Sequence, residues 1–259
     1  MARQAFREDE RRERRLSVWG YAGLALGYLV IAQGLGALLT RGLEITYAGP
    51  TSMNEIWRDM TVPIGVALCY VAALVTVLRW WRPVWVDEVP VARWVAVVPV
   101  AMVVASLAST DYGALADRGL GFTLLLLLSV LFVGFAEEGM FRGIGITALR
   151  RNGCSEAKVA LWSSVVFGLA HASNLINTGP RALLQVVVTA LAGYFLYLVR
   201  RRSGGLLVPG LVHGLWDFSL ISSSLVPGES YLGPVLNVLA VIVLAALLYV
   251  RRRRITVST

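Results

Sequence analysis

From Val18 to Val250 the chain is a succession of long apolar runs, broken by short polar connections that are often rich in arginine. About 20 consecutive apolar residues are needed to cross the roughly 30 Å hydrocarbon core of a bilayer as a helix. Inside hydrocarbon every backbone N–H and C=O must be satisfied internally, so such runs become helices rather than irregular chain. Eight runs are read: about Val18 to Thr40, Thr61 to Leu78, Val91 to Thr110, Leu120 into Glu137-Glu138, Ala157 to Ile176, Arg181 to Val199, Leu206 to Leu225 and Tyr231 to Val250. With 57% hydrophobic and 15% charged residues and a mean hydropathy of +0.67, a soluble fold of one or two domains is excluded. The expected fold is all-α: a polytopic membrane protein of about eight transmembrane helices.

The charges set the orientation. Arginine and lysine concentrate in residues 1–17, at 79–93, 142–158, 200–202 and 251–254, while the intervening loops hold only Arg41, Arg58, Arg118 and Arg181. By the positive-inside rule, both termini are then cytoplasmic and the protein is a multi-pass component of the cell (plasma) membrane. The net charge of +8 is read as a topology signal beside apolar spans, so the partner is the lipid bilayer and no nucleic acid is expected. Cys69 and Cys154 give no disulfide framework. The first run is too long for a signal-peptide core and is expected to remain as a helix. Its Gly23-x-x-x-Gly27 offers a close-packing face, and Arg79-Trp80-Trp81-Arg82 reads as an interfacial belt. The segments are a cytoplasmic basic arm (1–17), three N-terminal helices (18–119), a core carrying the chemistry (120–225), and a last helix with a basic tail (226–259). No internal repeat or low-complexity stretch is present. Oligomeric state is not legible.

Within this apolar background Ala136-Glu137-Glu138-Gly139-Met140-Phe141-Arg142 stands out, because a charge at a bilayer centre costs roughly 2.5–3.5 kcal/mol on insertion scales. On a helix Glu138 and Arg142 are at i and i+4, with the acid first, the favourable order for a pair. Glu137 points elsewhere and is left to face another group. A membrane-border ion-pair cluster would explain the stretch equally simply. The chain has two histidines, both in apolar runs: His171, in Phe167-Gly168-Leu169-Ala170-His171 with Asn174 one turn on, and His213, which shares a helix face with Asp217 at i, i+4. Gly210 and Gly214 would let a second backbone approach that face. Each histidine could be a helix–helix hydrogen-bond partner, and Phe167 and Trp216 read as packing. Together, three spans bring ionisable groups inward, the usual mark of a functional interior. Counting 1.5 Å per residue from Arg142 puts Glu137 about 7 Å deep, from Arg202 His213 about 16 Å and from Lys158 His171 about 20 Å, depths that do not coincide.

Glu137-Glu138-x-x-x-Arg142, then Phe167-x-x-x-His171, then His213-x-x-x-Asp217 resemble the three motifs of the CAAX prenyl endopeptidase and bacteriocin-processing (CPBP, Abi) family of intramembrane metalloproteases. The resemblance covers roughly residues 120–225. It implies an eight-helix fold with a site opening from the cytoplasmic leaflet, and hydrolysis of a peptide bond in a membrane-associated or lipidated peptide or protein. Carried over, Glu137 would activate water with help from His171, His213 and Asp217 would complete the catalytic set, and Glu138 with Arg142 would hold the first motif in shape. Two mechanisms fit. Glu137 and His171 could polarise water while His213 stabilises the oxyanion. Alternatively Glu137, His171, His213 and Asp217 could ligate a divalent metal such as zinc, lowering the pKa of bound water to about 7. Where several members carry Asn, this chain has Asp217, which when ionised only accepts hydrogen bonds and is suited to ligation or to orienting His213. A transporter or proton relay, or a catalytically silent immunity protein of the same fold, are the competing readings; no inverted repeat or matched pair of broken helices favours the former.

Overall fold

The computed structural model describes residues 14–43, 49–175, 179–226 and 231–256. Most of the basic arm, the Asn177-Thr178 turn and Pro227-Gly228 therefore lie outside the described residues. Eight main helices run through the rest: α1 (Val18–Leu39), α2 (Met53–Leu78), α3 (Arg93–Ser109), α4 (Leu120–Arg151), α5 (Glu156–Ala170), α6 (Arg181–Ser203), α7 (Leu207–Ser222) and α8 (Gly233–Val250). Among the described residues there is no strand, only isolated bridges at Val86–Gly205 and Val91–Thr256. The all-α expectation holds.

Local chemistry accounts for the boundaries. The Ser17 side chain accepts from the Gly20 N–H to start α1, and Ser52 does the same for Glu55 at the start of α2. The Glu55 carboxylate accepts in return from the Thr51 N–H at 2.7 Å, one residue before the cap, which fixes the chain as it enters the helix. Gly204 ends α6 at φ +77°, a left-handed conformation open to a residue without Cβ.

Among the described residues five helices are long and apolar enough to cross a membrane: α1, α2, α4, α6 and α8. A sixth span arises if α3 is joined to the short helix Tyr112–Arg118, to which it is bent by 58°. The count of eight is thereby not established, because α5 and α7 have only 15 and 16 residues. At 1.5 Å per residue they reach about 22–24 Å, short of the hydrocarbon thickness. His171 follows directly on α5, and His213 lies on α7. Large apolar side chains remain exposed around the bundle, Leu26, Val30, Leu184 and Val250 among them, as expected for a surface that meets lipid.

Packing is tightest where side chains are smallest. A Cβ on Gly134 of α4 would overlap the Gly210 carbonyl and the Gly214 N–H of α7, so these two backbones touch directly, as the Gly210/Gly214 spacing predicted. The Gly23-x-x-x-Gly27 expectation is only half met: Gly27 abuts the Tyr70 hydroxyl of α2, whereas Gly23 has open space beside it. The close face of α1 is instead lined by Tyr21, Ala25, Tyr28, Ala32 and Gly36.

Several basic-end residues do more than mark topology. Arg200, fully buried, binds Asp87 at 3.0 Å and the carbonyls of Pro83 and Val84 at 2.8 and 2.6 Å. Arg150 reaches Asp87 at 2.9 Å and Glu156 at 2.7 Å, and Arg201 holds the carbonyls of Val89 and Pro90. These arginines clamp the α2–α3 connection onto α4 and α6. Trp80 likewise departs from the interfacial-belt reading: it is completely buried, with its ring against Arg151 and its N–H donated to the Arg14 carbonyl, while Trp81 is exposed.

Candidate active site

Immediately after Glu137, α4 widens into π-helical turns over Glu138–Gly145 and then resumes as an α-helix to Arg151. Single-turn widenings of this kind are common at functional sites. All eight residues of the widened segment are buried. His213 lies 3.7 Å from Glu137 and 3.0 Å from Glu138, so these two motifs stand at one level of the bundle, against the differing depths counted from the sequence.

Glu138 and Arg142 form the expected pair, Oε1 to Nη1 at 2.8 Å with both side chains inaccessible. Arg142 also stacks on the Phe167 ring, 3.9 Å from its centroid. The same Glu138 oxygen stands 3.0 Å from His213 Nδ1 on α7. An ionised carboxylate only accepts, so this contact puts the proton on Nδ1 and directs Nε2 the other way. Nε2 faces Glu137 Oε2 at 3.7 Å and Asp217 Oδ2 at 3.6 Å. Both separations exceed a direct hydrogen bond, so Nε2 stands beside two carboxylates without bonding either.

His171 closes α5. Its Nδ1 lies 3.0 Å from the Phe167 carbonyl, which again fixes the proton on Nδ1 and leaves Nε2 as a lone-pair acceptor. The Phe167 ring stands edge-on to both imidazoles, with centroids 5.0 Å from His171 and 5.7 Å from His213. Phe167 thus packs, as expected, and spaces the two histidines. Among the described residues no hydrogen bond or ion pair joins His171 to Glu137, His213 or Asp217.

What His171 and Glu137 share is a cavity of about 760 Å³. Its polar lining comes from Tyr28, Gln33, Asp59, Glu137, His171 and Asn174, and it extends to Thr40 and Leu43 at the end of α1. That is the end of the bundle away from the arginine clusters, whereas charge pattern and resemblance led to an expectation of access from the basic side. Of these residues, Tyr28, Gln33 and Asp59 escaped sequence reasoning, since α1 and α2 match no motif and Tyr28 reads as one more apolar position. The seven-residue spacing of Tyr21 and Tyr28, which puts both on one face, was the available signal.

Among the described residues no group of three or more His, Cys, Asp or Glu side chains is placed to hold an ion.

Neither the comparison with curated proteins nor that with solved structures gives a match. Residues 119–219, the stretch that supplies Glu137, Glu138, Arg142, His171, His213 and Asp217, match the sequence model of the type II CAAX prenyl endopeptidase Rce1-like family, a family of membrane proteases.

Proposed function

We propose that this membrane protein is an intramembrane endopeptidase that hydrolyses a peptide bond of a membrane-associated or lipidated peptide or protein. The observation that carries the reading is the convergence of two motifs: His213 Nε2 stands 3.7 Å from Glu137 Oε2 and 3.6 Å from Asp217 Oδ2. Glu137 Oε2 is buried without a hydrogen-bond partner among the described residues, which supports its role as the acceptor of a proton from an attacking water.

In this reading Glu137 removes a proton as water attacks the scissile carbonyl, and later returns it to the leaving amine. His213, its Nδ1–H donated to Glu138, presents Nε2 to the same water. Asp217 orients His213 from the adjacent turn, and His171 offers Nε2 to the substrate side of the cavity. Glu138 and Arg142 hold the first motif and, through Glu138, the imidazole. A lipidated C-terminal peptide, a leader peptide and a membrane-anchored protein are the candidate substrates.

The test is cleavage of a peptide pool containing prenylated Cys-terminal and membrane-anchored members, by protein reconstituted in lipid bilayers. Wild type is compared with Glu137→Gln, with and without chelator. Glu137→Gln is expected to abolish turnover while preserving the thermal midpoint; turnover equal to wild type in that variant removes Glu137 as the base and the reading with it. Loss of turnover on chelation, restored by zinc, would show that the four polar residues close around an ion during the reaction.

A further inference from the structure

Hydrolysis creates a second need besides a base: a hydrogen-bond donor where negative charge develops on the carbonyl oxygen. Most donors lining the cavity are already committed. Gln33 donates to Ser173, Asn174 to Gln185 and the Thr40 hydroxyl to the Gly36 carbonyl. His171 Nδ1 is held by the Phe167 carbonyl, and Asp59 and Glu137 only accept when ionised.

Tyr28 is different. It lies on α1, outside every motif and outside residues 119–219. Its side chain is 1% exposed, yet it lines the cavity with Glu137 and His171. Its hydroxyl has no hydrogen-bond partner among the described residues. A buried phenol normally finds a partner, because leaving the group unsatisfied costs about 1–3 kcal/mol. The ring is not free to turn away: it stands edge-on to Phe141, 6.1 Å between centroids, and Phe141 is held in turn by Phe167 at 5.3 Å. The aromatic chain Tyr28–Phe141–Phe167–His171 thus ties a phenol of α1 to an imidazole of the site. Tyr21, one heptad earlier and also buried with an unpartnered hydroxyl, lies over Gly145 and does not line the cavity.

We propose that Tyr28 is a catalytic residue, its hydroxyl donating the hydrogen bond that stabilises the oxyanion formed when water adds to the scissile carbonyl. The proposal rests on the protease reading above. In the step, the water oxygen bonds to the carbonyl carbon, one water proton passes to Glu137, and the carbonyl electron pair moves to oxygen, where the Tyr28 O–H meets it. Collapse re-forms the carbonyl and breaks the C–N bond, and the proton held by Glu137 goes to the departing nitrogen. Tyr28 keeps its own proton throughout. The first helix, which matches no motif, thereby supplies part of the machinery.

The experiment compares wild type, Tyr28→Phe, Tyr21→Phe and Glu137→Gln in lipid bilayers, using whichever member of the peptide pool wild type cleaves fastest. Tyr28→Phe keeps the ring and its contact with Phe141, and is expected to lower kcat by about 10²–10³-fold with little change in KM, the usual cost of one oxyanion donor. Tyr21→Phe is expected to stay near wild type. A Tyr28→Phe kcat indistinguishable from that of Tyr21→Phe, with Glu137→Gln inactive, overturns the role of Tyr28 and leaves the protease reading standing; so does a raised KM at unchanged kcat. Activity in Glu137→Gln overturns the protease reading itself. A trifluorotyrosine at position 28, whose hydroxyl ionises at lower pH, covers the case in which Tyr28→Phe folds poorly. Its activity should be lost at lower pH than that of wild type, because a phenolate cannot donate, and superimposable pH profiles would rule the donor role out.

Discussion

Glu138 Oε1 touches two partners at once, Arg142 Nη1 at 2.8 Å on its own helix and His213 Nδ1 at 3.0 Å on α7. The acid that sequence spacing assigned to a local ion pair is therefore also the group that fixes the tautomer of a histidine 75 residues away. Arg142 neutralises it, so the carboxylate can stay ionised in the interior and accept from the imidazole. The neighbouring Glu137 is left without a hydrogen-bond partner on its Oε2. Two adjacent glutamates, separated by a turn of about 100° around the helix axis, thus acquire different tasks from what each one faces.

Glu138→Gln should consequently damage turnover more than folding. The amide can hydrogen-bond His213 through its oxygen or its nitrogen, so the proton on Nδ1 is no longer enforced. Loss of an orienting carboxylate behind a histidine costs roughly 10–10⁴-fold in activity, depending on how completely the tautomer is lost. Arg142→Met should do the reverse: it leaves a buried carboxylate uncompensated, at a cost of about 3–5 kcal/mol, and should show first as lost thermal stability. Parallel measurement of kcat and thermal midpoint separates the two; a Glu138→Gln enzyme with normal kcat would mean that its contact with His213 is only packing.

How much of this was legible beforehand follows from what one-dimensional spacing can encode. Helices are local, so the apolar runs gave the all-α bundle, and i, i+4 geometry gave both Glu138–Arg142 and His213–Asp217. Gly210 and Gly214 gave the close approach of α7, although not its partner Gly134. The contact between Glu138 and His213 was invisible because nothing along the chain says which face of α4 meets α7. Counting depth from Arg142 went wrong for a related reason: an arginine in an apolar run reads as a membrane border unless its buried partner is known. The same blindness hid the burial of Trp80 and the second task of Arg200 and Arg201 as clamps on the chain at 83–90. Tyr28 and Asp59 were missed because their helices carry no motif.

The clamp at the basic end gives the protein a pH dependence that can be stated with its sign. Asp87, in the connection between α2 and α3, is buried, and burial alone would raise its carboxyl. The guanidiniums of Arg150 and Arg200 and the Val89 N–H outweigh that and hold it below the ordinary range. A depressed carboxylate contributes stability that is present above its unfolded value, about 3.9, and is lost as pH falls through the lower folded value. Asp87→Asn should then lower the thermal midpoint at neutral pH, by the equivalent of about 3 kcal/mol, at the low end for a broken buried pair because Arg200 keeps its carbonyl acceptors. The gap between wild type and variant should narrow below about pH 4. A gap that stays constant down to pH 2 would show that charge on Asp87 is not what holds the clamp.

The direction of the cavity makes the last prediction, because it decides from which side a substrate enters. The lining runs from Glu137 and His171 to Ala37, Thr40 and Leu43 in the final turns of α1 and just beyond it, whereas the arginine clusters sit at the other end of the bundle. Ala37 is exposed and belongs to the lining; Val30 is exposed on α1 and does not. In a background with Cys69 and Cys154 replaced by serine, Ala37→Cys should react with a membrane-impermeant maleimide applied to the side opposite the basic end. The adduct should block peptide cleavage by filling the passage, while an adduct of a lipid-soluble maleimide at Val30→Cys should leave cleavage within about twofold, since surface changes away from a site are usually small in effect. Labelling of Ala37→Cys only from the basic side would place the entrance among the arginines, as the charge pattern first suggested. Labelling from the expected side without loss of cleavage would make this passage a solvent inlet, and the peptide would then have to reach Glu137 from between the helices.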